Sequence, residues 1–115
     1  MTQKQLVSLF AGLKSKLPDD TRASKALICA FLRTKGFNVN VWVPTYNENA
    51  RLAHLDVAGY RRKDKIAVSI GGKRAGTRDI AKLLQLPDVV AKVVIIHHPG
   101  YEPKMLDNGV LVIGL

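Results

Sequence analysis

The stretch 89–96, VVAKVVII, constrains the fold more than any other part of the chain. It is a short apolar run, the pattern of a strand covered on both faces, and such a strand needs a layer above it and a layer below. What precedes it supplies one of them. Thr77 is placed to cap a helix over 78–86, with Ile80, Leu83 and Leu84 as its buried face, and Pro87 follows. Before that helix, 54–60 and 65–70 read as two strands joined by the basic turn RRKD, and Gly71 and Gly72 end the second.

The N-terminal half supplies the other layer. Leu6, Val7, Leu9, Phe10, Leu13 and Leu17 have the spacing of an amphipathic helix over 4–16. Pro18, Asp19 and Asp20 break it and offer caps for a second helix over 21–35. Ala23, Ala26, Leu27, Ala30 and Phe31 form the expected buried stripe of that helix, with Ile28 and Leu32 beside it and Gly36 as the stop. Residues 37–43 alternate, with Phe37, Val39, Val41 and Val43 pointing one way and Asn38, Asn40 and Trp42 the other. Residues 44–51 read as a polar loop, 97–105 as another, and 110–113 as a last strand after an Asp107–Asn108–Gly109 turn. The expected order is ααβββαββ, a three-layer α/β sandwich on a mixed β-sheet formed by a single domain, 1–115.

No apolar run is long enough to span a bilayer, and the N-terminal residues lack the pattern of a signal peptide. Cys29 is the only cysteine and sits in a helical apolar pattern. It reads as a small buried hydrophobe, with no disulfide framework and a reducing, cytoplasmic setting.

Charge is the first functional signal. The chain has 18 Lys and Arg against 9 Asp and Glu, a net +9. Residues 61–78 hold Arg61, Arg62, Lys63, Lys65, Lys73, Arg74 and Arg78 against Asp64 alone, seven minus one, or +6 of that total. Such a segment suits a polyanion, most often nucleic acid, and is expected along one edge of the sheet and the adjacent helix start. No helix is both strongly basic and strongly apolar on its opposite face, which argues against a membrane surface.

A helix, three antiparallel strands with Asp56 on the second, a glycine-rich basic loop, a helix and an apolar strand together resemble the core of the PD-(D/E)XK nuclease superfamily, the restriction-endonuclease-like and Holliday junction resolvase-like proteins. The resemblance covers roughly 21–115. It implies Mg²⁺ held by an aspartate on the second strand and an acidic residue on the third, with a lysine two positions later that helps activate water. Asp56 matches the aspartate. Ser69 stands where the acidic residue belongs, and Gly71 where the lysine belongs: VSIG in place of VEIK. Serine is a poor Mg²⁺ ligand, and one carboxylate seldom suffices. Groups that could stand in from elsewhere are Lys73, Glu48 in the loop before the second strand, and His54, which leaves the same strand face as Asp56. Asp56, Glu48 and His54 are thus the candidate metal ligands.

Other motifs carry less. His97 and His98 are adjacent on a strand and point to opposite faces, so they read as a strand end. GGKRAG lacks P-loop spacing; it is either a phosphate site at a helix N-terminus or a structural turn. Trp42 and Tyr46 are candidates for stacking on bases, or for packing within the sheet. The chain thus reads as a catalytically inactive, nuclease-like protein that binds nucleic acid, DNA more than RNA, through 61–78, with no cofactor expected. The alternatives are an active Mg²⁺-dependent endonuclease or resolvase using Asp56 and a migrated ligand, and a phage or mobile-element accessory protein whose basic face docks on another protein. Homodimers are common in proteins of this resemblance.

Overall fold

A computed structural model describes residues 1–46 and 49–115. The chain folds as α1 (Gln3–Phe10), α2 (Thr21–Thr34), β1 (Asn38–Tyr46), β2 (Leu52–Arg61), β3 (Asp64–Ile70), α3 (Thr77–Leu84), β4 (Val90–Ile96), β5 (Lys104–Met105) and β6 (Val110–Gly114). The six strands form one mixed sheet in the order β1-β2-β3-β4-β6-β5. β1, β2 and β3 are antiparallel, β3, β4 and β6 are parallel, and β5 returns antiparallel to β6.

The apolar run does what its composition demands. Val93 and Ile95 face a core built from Leu6, Phe10, Ile28 and Leu32 of α1 and α2. Val94 and Ile96 face a second core around Leu83 of α3. All four are essentially inaccessible, and each such burial contributes about 1.5–3 kcal/mol. The sheet is therefore the middle of three layers. Lys92, the one charge in the run, is buried, and its ammonium donates to the carbonyls of Pro87 and Val90, both at 3.1 Å.

Several boundaries differ from the sequence pattern, each for a physical reason. α1 opens with a Thr2–Gln5 capping box but ends at Phe10 instead of running to 16. Gly12 is a poor interior helix residue, disfavoured by about 1 kcal/mol, and Leu13 and Leu17 reach the core from non-helical chain. In α2 the buried residues are Ser24, Ile28, Cys29 and Leu32, whereas Ala26 and Ala30 are exposed, so the helix is rotated from the expected stripe. Ser24 is accepted inside because its hydroxyl donates to the Pro18 carbonyl at 2.6 Å. Gly76, not Thr77, is the N-cap of α3. β5 adds a ninth element within a stretch expected to be loop.

β1 runs on through Pro44 to Tyr46. It lies at the sheet edge, where a strand tolerates a residue without an N–H. Within it, Trp42 adopts a left-handed backbone, φ 55°, a rare conformation for a bulky side chain. Its effect is a change of face. Val39 packs against the α1/α2 core, but Val43 packs against the α3 core. β2 makes the matching switch, with Val57 on the α1/α2 side and Leu55 on the α3 side. The register is the same on both sides of the switch, and Trp42 and Asp56 are left out of the ladder between Val41↔Val57 and Val43↔Leu55. The expected uniform facing of Val39, Val41 and Val43 therefore fails at one residue.

Gly114 closes β6 where residues 98–101 cross it. A Cβ at Gly114 would collide with the carbonyl oxygen of His98 and with Tyr101 Cβ, while one at Gly72 would meet open space. Gly114→Ala is expected to lower stability by about 1–3 kcal/mol and Gly72→Ala to change it by less than about 0.5 kcal/mol, measured by urea unfolding.

Candidate functional site at the fork of β2 and β3

β2 and β3 pair from Arg61↔Asp64 to Val57↔Val68 and then part. Where they part, Ile70 loses a strand partner for its N–H. Asp56 supplies one: its Oδ2 accepts from the Ile70 amide at 2.7 Å. Its Oδ1 lies 3.7 Å from Lys25 Nζ on α2. The carboxylate is mostly buried, so both contacts are made in a partly desolvated setting. A charge-assisted hydrogen bond there is stronger than a neutral one.

Trp42 stands beside this pair. Its ring stacks on His54 at 4.4 Å with an interplanar angle of 6°, and Lys25 Nζ lies 4.3 Å from its centroid. The Trp42 ring lies against the His54 imidazole, and the Ile70 amide against the Asp56 carboxylate. Glu48 lies outside the described residues. Among the described residues no three His, Cys, Asp or Glu side chains gather as a metal site. Among the described residues, the carboxylate at the fork is that of Asp56, already engaged by an amide and an ammonium.

Ser69 and Gly71 belong to a different network, on the α3 side. The buried Ser69 hydroxyl donates to Asp79 Oδ1 at 2.7 Å. Asp79 Oδ2 accepts from the Gly76 amide at 3.3 Å, and Lys82 Nζ lies 3.8 Å from Oδ1. Lys82 also donates to the His54 carbonyl at 3.0 Å, tying α3 to the β1–β2 hairpin. A Cβ at Gly71 would meet Asp79 Oδ2 at 3.1 Å, closer than ordinary contact. The space beside Gly71 is thus taken by Asp79. The same carboxylate sits at the start of α3, where the GGKRAG loop had offered a place for phosphate. His97 is likewise committed, its ring nitrogens 3.2 Å from the Gly71 carbonyl and 2.8 Å from that of Pro18. His98 is exposed and packs edge-on against Tyr101.

The basic segment is not one patch. β3 is the third strand of six, and the segment threads it. Arg62, Lys63 and Lys65 are exposed around the β2–β3 turn; Lys73, Arg74 and Arg78 are exposed beyond the other end of the strand. Seven residues of strand separate the two groups by roughly 20 Å. This corrects the expectation of a single edge. Arg61 is structural: it donates to the Lys35 carbonyl at 2.8 Å, pairs with Asp64 at 3.4 Å and lies over the Phe37 ring at 4.3 Å. Asp64 also meets the amino group of Met1 at 3.3 Å. That hydrogen bond, with help from Arg61, holds its carboxyl below the usual range.

The sequence pattern did not reveal a further set of cations. Arg22, Lys25 and Arg33 line a groove of about 620 Å³ between α2 and β1, with Ala26, Cys29, Val41 and Trp42. Burial raises the Cys29 thiol above its ordinary value, opposed in part by Arg33. Residues 22, 25, 29 and 33 share one helix face by their spacing, a signal present in the sequence. The pairing of Lys25 with Asp56 is visible only in three dimensions.

No family model and no curated protein matches the chain. Among solved structures it is similar to the crystal structure of a protein of unknown function, AF1548, with a TM-score of 0.54 and 11% identity over 69% of this chain. The chain spans about half of that protein, 48% of its length. The likeness concerns the fold alone. No helix among the described residues is long and apolar enough to cross a membrane.

If Asp56 serves the fork as an acceptor, Asp56→Ala strands the Ile70 amide and leaves Lys25 unpaired. It is expected to lose about 1–3 kcal/mol of stability, and Asp56→Asn, which keeps an acceptor oxygen, to lose less. Urea denaturation of the two variants checks the order.

Proposed function

We propose that the protein binds nucleic acid through the exposed cations at the two ends of β3, on a nuclease-like, PD-(D/E)XK-type scaffold that does not cleave. The observation that carries this reading is the charge itself: +6 of a net +9 within residues 61–78. With Arg61 committed to Lys35 and Asp64, the exposed contributors are Arg62, Lys63, Lys65, Lys73, Arg74 and Arg78. Two cationic groups roughly 20 Å apart suit a ligand that carries charge along its length. DNA fits this better than a compact anion. The catalytic side of the reading rests on the engagement of Asp56 by Ile70 and Lys25, and on Ser69 and Asp79 turning to each other. A cytoplasmic setting is part of the same proposal.

One observation favours the active alternative. Lys25 brings a cation to within 3.7 Å of Asp56, so that the cation such a site needs comes from α2 and not from the third strand. On that reading Mg²⁺ or Mn²⁺ supports cleavage of a DNA or RNA substrate, and both Asp56→Ala and Lys25→Ala abolish it. A scaffold that only binds shows no metal-dependent cleavage above background on duplex, single-stranded or branched DNA or on RNA.

Binding is tested by the salt dependence of affinity on the same panel. Replacing Arg62, Lys63, Lys73 and Arg74 together by Ala is expected to weaken binding across all sequences. The log–log salt slope on duplex DNA should flatten by about 0.9 for each phosphate that is no longer neutralised. A quadruple variant that binds as the parent does would rule this surface out. An affinity confined to acidic proteins would favour the docking alternative.

A further inference from the structure

The groove between α2 and β1 faces away from the α3 network and has features that the cations at the ends of β3 do not explain. Trp42 and Val41 are both more than half exposed on a strand edge. Trp42 is held there by a left-handed backbone, a strained state for such a residue that persists only where the surroundings enforce it. One neighbour of its ring is His54, stacked at 4.4 Å. The other is the Lys25 ammonium, 4.3 Å from the centroid and shared with Asp56. Arg22 and Arg33 flank Lys25 along the same groove. Among the described residues that line it, the one acidic side chain is Asp20, which caps α2 by accepting from the Arg22 amide at 2.9 Å.

We infer that this groove is a subsite for single-stranded nucleic acid, one base packing on Trp42 and the adjoining phosphates pairing with Arg22, Lys25 and Arg33. The inference rests on the nucleic-acid reading and names the strand form that this face takes. A planar, electron-poor surface is what an exposed indole accepts, and base–aromatic stacking tolerates any sequence. Three cations beside one aromatic match the alternation of phosphate and base along a strand. A duplex keeps its bases stacked on each other and cannot present one to Trp42. Lys25 occupies the ring position that the base takes. It swings from the ring to a phosphate on binding, so that the cation–π contact and the pairing with Asp56 are exchanged for an ion pair with phosphate and a stack.

Trp42 is the only tryptophan in the chain, so its emission reports this site alone. The full chain is titrated with a 12-nucleotide thymidine strand, with an abasic strand of equal length and charge, and with a duplex. Quenching of emission by the thymidine strand alone is expected, with an affinity about ten-fold above that of the abasic strand. Labelled-strand anisotropy on Trp42→Ala should show that preference abolished and duplex binding kept, and Trp42→Tyr should restore part of the preference. Equal affinity for thymidine and abasic strands without quenching, while salt-dependent duplex binding persists, overturns the groove assignment and leaves the nucleic-acid reading standing. Absence of binding to every strand overturns both. The thymidine–abasic comparison is made on the parent protein, so it decides the matter even if Trp42→Ala fails to fold.

Discussion

A single carboxylate lets the sheet divide. At Asp56 the β1–β2 hairpin leaves β3 and turns from one core to the other, and the amide exposed by that parting, Ile70, is satisfied by Asp56 Oδ2. Leaving this part-buried amide without an acceptor costs up to about 1–3 kcal/mol, which the Asp56 contact avoids. Trp42 makes the matching bend on β1 with its positive φ. Lys25 reaches over from α2 to both of them. Trp42 also lines the α2 groove, and His54, stacked on Trp42, accepts from Lys82 through its carbonyl.

The same commitment shapes the functional proposal. Asp56 already holds an amide and an ammonium, and the two third-strand positions that the nuclease resemblance singled out are engaged elsewhere. Ser69 is tied to Asp79, and the space beside Gly71 is filled by the same residue. What the scaffold offers instead is cationic: two groups at opposite ends of β3 and a third along α2. Most of these side chains reach solvent, where an extended polyanion can meet them.

Most of the architecture was legible in the chain because its signals are local. The run 89–96 demanded two covering layers and has them, in α1 and α2 on one side and α3 on the other. The RRKD turn, the Gly36 stop and the amphipathic helices were found where residue type fixes backbone geometry. Errors arose where tertiary contact outweighs local pattern. Strict alternation along 37–43 could not anticipate a left-handed Trp42, and Pro44 ends a strand only if that strand is not at an edge. The charge run was visible, and so was the strand within it, but that this strand lies inside the sheet and not at its edge depends on which strands flank β3. Lys25 and Asp79 were missed for the same reason: each matters through a partner on another element.

Amide hydrogen exchange at Ile70, followed by NMR, tests the central claim most directly. If Asp56 is the acceptor that holds the fork, the Ile70 amide exchanges slowly in the parent and in Asp56→Asn. It then exchanges much faster in Asp56→Ala, while Val68, inside the paired ladder, changes little. Millimolar Mg²⁺ leaves the parent unchanged. An Ile70 amide that exchanges as fast in the parent as in Asp56→Ala, or one that Mg²⁺ releases, would show that Asp56 is free for a metal and would contradict the account.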